Sequence, residues 1–308
     1  MDLKSIRKSI GRFFAWSGLN LCTFMVRFIP ARYLYGFASG LGSFGYHAAA
    51  RQRRTAMESL DIALGKDKTV QEREQIAREC FVLMAKGAVE LMFLMDRPAL
   101  LKERVSISGK EHLDKALALG NGVILVSAHF GNFPLLLAKL SLEGYKVSGI
   151  MRQMRDLRVE KIFARKRQAL NINTIYSQPR DVCVSSTLQA LRGNGIVFIP
   201  IDQNFGTAGV FVDFFGRKAA TATGPVVLAQ RTGARLIPCF IVRQKDNTNK
   251  IIFEPPIELS EAGRPREAIQ INIQRLTGII ESYIRKYPAE WGWVHRRWKT
   301  KPDDKAGA

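Results

Sequence analysis

The chain reads as an α/β protein: a mostly parallel central sheet flanked by helices, with a helical N-terminal region that associates with a membrane. Three observations predict this. Beyond Gly109, short apolar runs alternate with segments of helical period. Before Gly109 the pattern is helical only. The first sixty residues also set apolar stretches between basic flanks.

Length and composition bound the reading. The 308 residues suffice for one large domain or two unequal ones. No apolar run reaches the roughly 18 uncharged residues of a spanning helix, which excludes a polytopic transporter. The net charge of +20 predicts an anionic partner, whether nucleic acid, an anionic bilayer or an acidic protein. The four cysteines (Cys22, Cys80, Cys183 and Cys239) make no CxxC or disulfide pattern and read as reduced thiols. The four histidines have no metal-ligand spacing, so no metal is expected.

In chain order, Lys4, Arg7, Lys8 and Arg12 precede the apolar stretch Phe13–Val26, and Arg27 follows it. No small-residue cleavage site comes after, which separates it from a signal peptide. As a helix it would span about 21 Å against a hydrocarbon core of ~30 Å, so it suits a helix lying in one leaflet or a short tilted anchor. A second apolar stretch, Tyr33–Ala50, is closed by Arg51, Arg53 and Arg54. Against nine basic residues in positions 1–60 stand only Asp2 and Glu58. Basic charge beside apolar segments points to anionic lipid. No helix-turn-helix, zinc-finger or RRM pattern accompanies it, so nucleic acid is not the expected partner.

Residues 69–95 read as a helix opened by a Thr69/Glu72 capping box. Strands are expected at Gly122–Ser127, Tyr145–Ile150, Ile172–Tyr176, Gly195–Ile201, Arg235–Val242 and Lys250–Glu254. Helices near 132–142, 156–170, 181–192, 222–233 and 264–286 separate them. Lys245–Asn249 reads as a loop and Lys301–Ala308 as a flexible tail. The division is then residues 1–60 for membrane association, 61–300 for the α/β domain and 301–308 for the tail.

Chemistry concentrates where the first strand ends, in Ser127-Ala-His129-Phe-Gly-Asn132-Phe-Pro134. Sites in open α/β sheets form at the carboxyl ends of strands. Asn132 can cap the following helix, and Pro134 is tolerated in its first turn. The positive end of that helix is expected to lower the His129 pKa and keep the imidazole neutral, able to accept a proton near pH 7. Asp202 likewise follows an apolar strand, with Gln203 beside it.

Ser127-Ala-His129-Phe-Gly-Asn132-Phe resembles the histidine block of the bacterial lipid A biosynthesis acyltransferases, the late lauroyl/myristoyl type. Ile201-Asp202-Gln203-Asn204-Phe-Gly206, Gly209–Gly216, Ala220–Thr223, Leu228–Pro238 and Tyr287–Lys299 resemble its later blocks in the same order, across nearly the whole chain. The resemblance implies a glycerolipid-acyltransferase-like fold and O-acylation. A fatty acyl group would pass from acyl carrier protein or acyl-CoA to a hydroxyl of a lipid A precursor, with no other cofactor; the alternatives are acylation of a different lipid, a lysophospholipid or glycolipid, and a catalytically impaired lipid-binding homologue. It also implies the cytoplasmic face of the inner membrane and His129 as the general base. Arg165, Arg167 or turn amides would stabilise the oxyanion, with Arg167 favoured by its spacing as the family's arginine. Arg152, Asn132, Asp202 and Gln203 complete the expected site.

One departure stands out. The family places Glu or Asp five residues after the histidine, to orient the imidazole, and here that position is Pro134. Either another acid substitutes, with Asp202 and Glu90 the candidates, or His129 works alone at lower efficiency, or the protein has lost activity. Trp291, Trp293 and Trp298 with Arg296, Arg297 and Lys299 could form a membrane-interface belt or simply pack the C-terminus.

Overall fold

The computed structural model describes residues 13, 16–18, 20–26 and 28–302. The basic residues expected at positions 4, 7, 8, 12 and 27, and the tail from 303 onward, lie outside the described residues. Helices α1 (Ala31–Ala48), α2 (Ala50–Leu64) and α3 (Val70–Leu94) open the fold. The capping box at α3 forms as read: the Glu72 amide donates to Thr69 Oγ1 at 3.2 Å, and the Thr69 amide donates to the Glu72 carboxylate at 2.8 Å.

Then follow α4 (Pro98–Arg104), β1 (Val105–Ser108), α5 (Lys110–Leu117), β2 (Val123–Ser127), α6 (Phe133–Leu142), β3 (Val147–Met151) and α7 (Leu157–Ala169). The chain continues through β4 (Asn173–Tyr176), α8 (Arg180–Arg192), β5 (Ile196–Pro200), β6 (Val210–Phe214) and β7 (Arg217–Thr221). It ends with α9 (Gly224–Thr232), β8 (Arg235–Arg243), β9 (Asn249–Phe253) and α10 (Pro265–Lys286). Seven strands form one sheet in the order β1-β9-β8-β2-β5-β3-β4. From β8 to β4 the strands run parallel. β9 runs antiparallel to β8, and β1 is parallel to β9.

Every residue of β2 is buried, as expected of a strand covered on both faces. Its residues alternate between two cores. Ile124 and Val126 join the cluster shared with α2, the β6–β7 hairpin and α10, while Val123 and Leu125 join that of α1, α4, α5 and α6. Helix α3 contributes to both, with Cys80 on one side and Met92 on the other.

Several elements were not read from the sequence: α4, β1, α5 and the β6–β7 hairpin. The hairpin turns on Phe215-Gly216, whose φ angles of 53° and 70° are the pair a two-residue type I′ turn demands. Phenylalanine is a rare occupant of that position, so the turn gives no usual signal. The C-terminal tryptophans are packing residues and not an interface belt. Trp291 and Trp293 are buried and meet edge to face at 4.6 Å, and Trp298 stacks on Phe214. Arg297 is buried as well.

Among the described residues no helix is long and apolar enough to cross a membrane. The N-terminal helices nevertheless leave large apolar side chains exposed, Phe28 and Phe44 each at 71%.

One buried carboxylate ties these layers together. Glu90, fully buried in α3, accepts hydrogen bonds from Tyr35 of α1, Asn132 before α6, Asn249 of β9 and both terminal nitrogens of Arg243 in β8. The Arg243–Glu90 contact is 2.7 Å and its partners are nearly solvent-free. Removing one member of such a pair strands the other charge, at a cost of about 3–5 kcal/mol. Glu90→Ala is therefore expected to lower the urea unfolding midpoint by more than any single substitution of an exposed ion pair such as Arg264–Glu267, measured by circular dichroism.

Candidate active site

His129 sits two residues past the end of β2 and Asp202 two past the end of β5, adjacent parallel strands in the centre of the sheet. Both therefore project from one carboxyl edge. His129 Nδ1 lies 2.8 Å from Asp202 Oδ1. Asp202 is buried, and its second oxygen accepts from Trp291 Nε1 at 2.8 Å. Of the two acids expected to replace the one missing at Pro134, Asp202 meets the imidazole. Glu90 instead binds Asn132 and Arg243.

The turn carrying His129 is held by the C-terminal block. Phe130 and Trp291 form an antiparallel bridge, with the Gly131 amide donating to Glu290 O and the Gly292 amide to His129 O. Gly131 has φ 56°, and a Cβ there would lie 2.0 Å from Ile241 O, so no other residue fits the turn. Asn132 occupies the N-cap position of α6 but does not cap it with its side chain. Its amide donates to Gly87 O and Glu90, which corrects the expected capping role. The Gly87 carbonyl and the Glu90 carboxylate draw the side chain away from the amides of the helix.

The expected electrostatics also need correction. Burial pushes the His129 pKa down, but the charge and hydrogen bond of Asp202 outweigh it, and the net shift is upward. A carboxylate in contact exceeds the partial charge of a helix end. For Asp202, burial raises the carboxyl pKa. The imidazole's charge, the hydrogen bonds from His129 and Trp291 overcome this and hold it below its usual value.

Two cavities meet at His129. The larger, about 690 Å³, is walled by apolar side chains including Met95, Leu137, Phe163 and Phe198. The smaller, about 350 Å³, lies against α3 and the C-terminal block, between Leu83, Met84, Glu290 and His295. Pro134 and Gln203 line both. His129 Nε2 has no protein hydrogen-bond partner among the described residues.

The expected arginines separate. Arg152 and Arg167 line the larger cavity, whereas Arg165 is exposed on α7 and lines neither. The Arg167 guanidinium is engaged by Glu160 at 2.5 Å and Thr174 Oγ1 at 2.9 Å. Sequence reasoning missed three contributors: Trp291, which holds Asp202; Glu290, whose carbonyl and carboxylate fasten the turn and Arg243; and His295. All lie in the Tyr287–Lys299 block, where Glu290 beside Trp291 and His295 two residues past Trp293 were the available signal. Burial raises the Glu290 carboxyl pKa. Among the described residues no cluster of three or more His, Cys, Asp or Glu side chains is placed to hold a metal ion.

A histidine braced by a buried carboxylate thus stands at the carboxyl edge of an α/β sheet and faces a large apolar cavity, an arrangement common among enzyme sites. A family model described as bacterial lipid A biosynthesis acyltransferase matches residues 4–300, and the chain belongs to that family. It is 25% identical to the lipid A biosynthesis lauroyltransferase of Escherichia coli K12 over 295 residues, covering 94% of this chain and 92% of that protein. The palmitoleoyltransferase of the same organism is 25% identical over 298 residues, 93% and 91% of the two chains. A phosphatidylinositol mannoside acyltransferase of Mycobacterium tuberculosis (strain CDC 1551 / Oshkosh) is 24% identical over 193 residues, 62% of this chain and 59% of that protein. The protein is an acyltransferase.

Removing the charge on Asp202 leaves burial as the main influence on the imidazole. Asp202→Asn is therefore expected to move the His129 titration to lower pH, read directly from its ring proton NMR shifts. An unmoved midpoint would contradict the assigned pair.

Proposed function

We propose that the protein transfers a fatty acyl group from acyl carrier protein or acyl-CoA to a hydroxyl of a lipid A precursor in lipopolysaccharide biosynthesis. The observation that carries this reading is the His129–Asp202 pair where the two cavities meet. The larger cavity takes the donor's acyl chain, and the smaller admits the acceptor hydroxyl.

With Nδ1 engaged by Asp202, Nε2 of His129 takes the hydroxyl proton as the oxygen attacks the thioester carbon. Asp202 steadies the imidazolium that forms, the role its counterpart plays in a catalytic triad. Collapse of the intermediate breaks the carbon–sulfur bond, and the imidazolium returns its proton to the departing thiolate. The reaction requires no metal or redox cofactor. Arg152, Arg167, Asn132 and Gln203 serve binding and positioning in this scheme. Arg165, away from both cavities, is better placed to meet the anionic carrier protein.

Association with the cytoplasmic face of the inner membrane is supported by the exposed Leu21, Phe24, Phe28 and Phe44 and by basic residues such as Arg51 and Arg54. These would hold the cavity mouths near anionic lipid. A second reading, acylation of a different lipid such as a lysophospholipid or glycolipid, is favoured by the phosphatidylinositol mannoside relatives. Lipid mass spectrometry of a deletion strain separates the two: an unchanged lipid A acyl pattern would exclude the first.

His129→Ala is expected to abolish acyl transfer from acyl carrier protein while the circular dichroism spectrum stays native. An active variant would end the mechanism. The acid limb of the rate profile belongs to a base whose pKa is raised, so activity falls as pH drops through that raised value. In Asp202→Asn the limb should move to lower pH, with a large drop in kcat.

Pro134→Glu should give no gain. The imidazole already has its acid, and a carboxylate in a cavity wall beside Leu91 and Phe133 is costly to desolvate. A large rise in kcat would show that Asp202 does not fill the missing role.

A further inference from the structure

The proposed reaction generates a negative oxygen on the thioester carbonyl, and something must donate a hydrogen bond to it. Most donors near His129 are already committed. The Gly131 amide is taken by Glu290 O and the Asn132 side chain by Gly87 O and Glu90. Arg243 is bound to Glu90 and Arg167 to Glu160. Arg297 donates to Gln203 O, Ala220 O and Thr221 Oγ1.

His295 is different. It borders the same small cavity as His129, and its Nε2 accepts the backbone N–H of Asn204 at 3.1 Å. An imidazole nitrogen that accepts cannot carry a proton, so the ring proton sits on Nδ1. That Nδ1–H has no protein partner among the described residues. The acceptor end is firmly held: Asn204 is cross-linked to Thr300 in both directions, and the His295 carbonyl receives Ser59 Oγ and the Arg297 amide. Protonating the ring would set two donors face to face at Asn204. Burial, with the nearby charges of His129 and Arg297, also lowers the His295 pKa against the pull of Asp202.

Resting on the acyl-transfer reading above, we propose that His295 is a second catalytic residue, a permanently neutral imidazole whose Nδ1–H donates to the thioester carbonyl oxygen and its oxyanion. As the acceptor oxygen bonds to the carbonyl carbon, its proton passes to His129 Nε2 and the carbonyl π electrons move onto oxygen, where Nδ1–H meets them. Collapse restores the carbonyl, expels sulfur and returns the proton from His129 to the thiolate. His295 itself gains and loses no proton. A neutral donor suits this task, since a full cation beside His129 would oppose formation of the imidazolium.

The test uses the full-length enzyme with lauroyl–acyl carrier protein and a purified lipid A precursor, and compares His295→Ala with His295→Gln. Loss of one oxyanion donor should lower kcat by about 10²–10³ with little change in KM. Glutamine offers both a carbonyl for the Asn204 amide and an N–H donor, so it should recover at least part of that loss. In parallel, the infrared band of an isotope-labelled thioester carbonyl is recorded for lauroyl-coenzyme A bound to wild type and to His295→Ala. The wild-type enzyme should shift the band to lower frequency, and the alanine variant should not. An unaltered kcat in His295→Ala, or a carbonyl band identical in the two proteins, would overturn the proposal. A wild-type enzyme that acylates neither lipid A precursor nor lysophospholipid would defeat the functional reading instead, and the infrared comparison would still decide the contact.

Discussion

A carboxylate stripped of water is among the least stable groups a fold can contain, and Asp202 is almost fully buried. Its charge survives because both oxygens are engaged, one by the His129 ring and one by the Trp291 indole. The three residues come from three distant parts of the chain: the turn after β2, the segment after β5 and the C-terminal block. The carboxylate is satisfied only when all three have assembled, so the stability of this charge and the geometry of the site are a single requirement. The antiparallel bridge between Phe130 and Trp291 provides the register that brings them together.

Glu90 solves the same problem on the other side of the turn by a different route. It gathers neutral donors and one arginine, and thereby locks Asn132, three residues after His129, to α1, β8 and β9. The histidine turn is thus clamped between two buried acids. One shifts the imidazole pKa upward, and the other holds the backbone that carries the ring. Because Tyr35 is part of the Glu90 cluster, α1, whose Phe44 is exposed, is wired to the histidine turn by one shared carboxylate.

Most of the sheet was legible in the sequence because buried parallel strands are continuous apolar runs, and Val123–Ser127 and Ile196–Pro200 could hardly be read otherwise. The four-residue edge strand β1 and the hairpin were not, since short strands carry little periodicity and Phe215-Gly216 is an unusual I′ turn. For the site, order along the chain located His129 and Asp202 at strand ends but left Asp202 and Glu90 as alternatives. Adjacency of β2 and β5 in the sheet decides between them, and adjacency is a tertiary fact. The direction of the His129 pKa shift is hidden from the sequence for the same reason. A helix end is visible locally, whereas a carboxylate from seventy-three residues away is not. Trp291, Glu290 and His295 were missed because the side chain of each meets a partner far away in the chain, which local spacing does not reveal.

Pro134 then takes on a different meaning. A proline where relatives by resemblance carry an acid first suggests a damaged site, yet the imidazole here has a carboxylate at 2.8 Å. The orienting function therefore comes from the neighbouring strand and not from the next helical turn. That leaves position 134 free to serve as apolar wall for both cavities. Moving the acid to β5 keeps it beneath the ring at Nδ1, behind the face where substrate would approach. An acid projecting from α6 would have stood in the cavity wall itself, where an aliphatic chain has nothing to offer a charge. The substitution is better understood as a division of labour between strand and helix than as a loss.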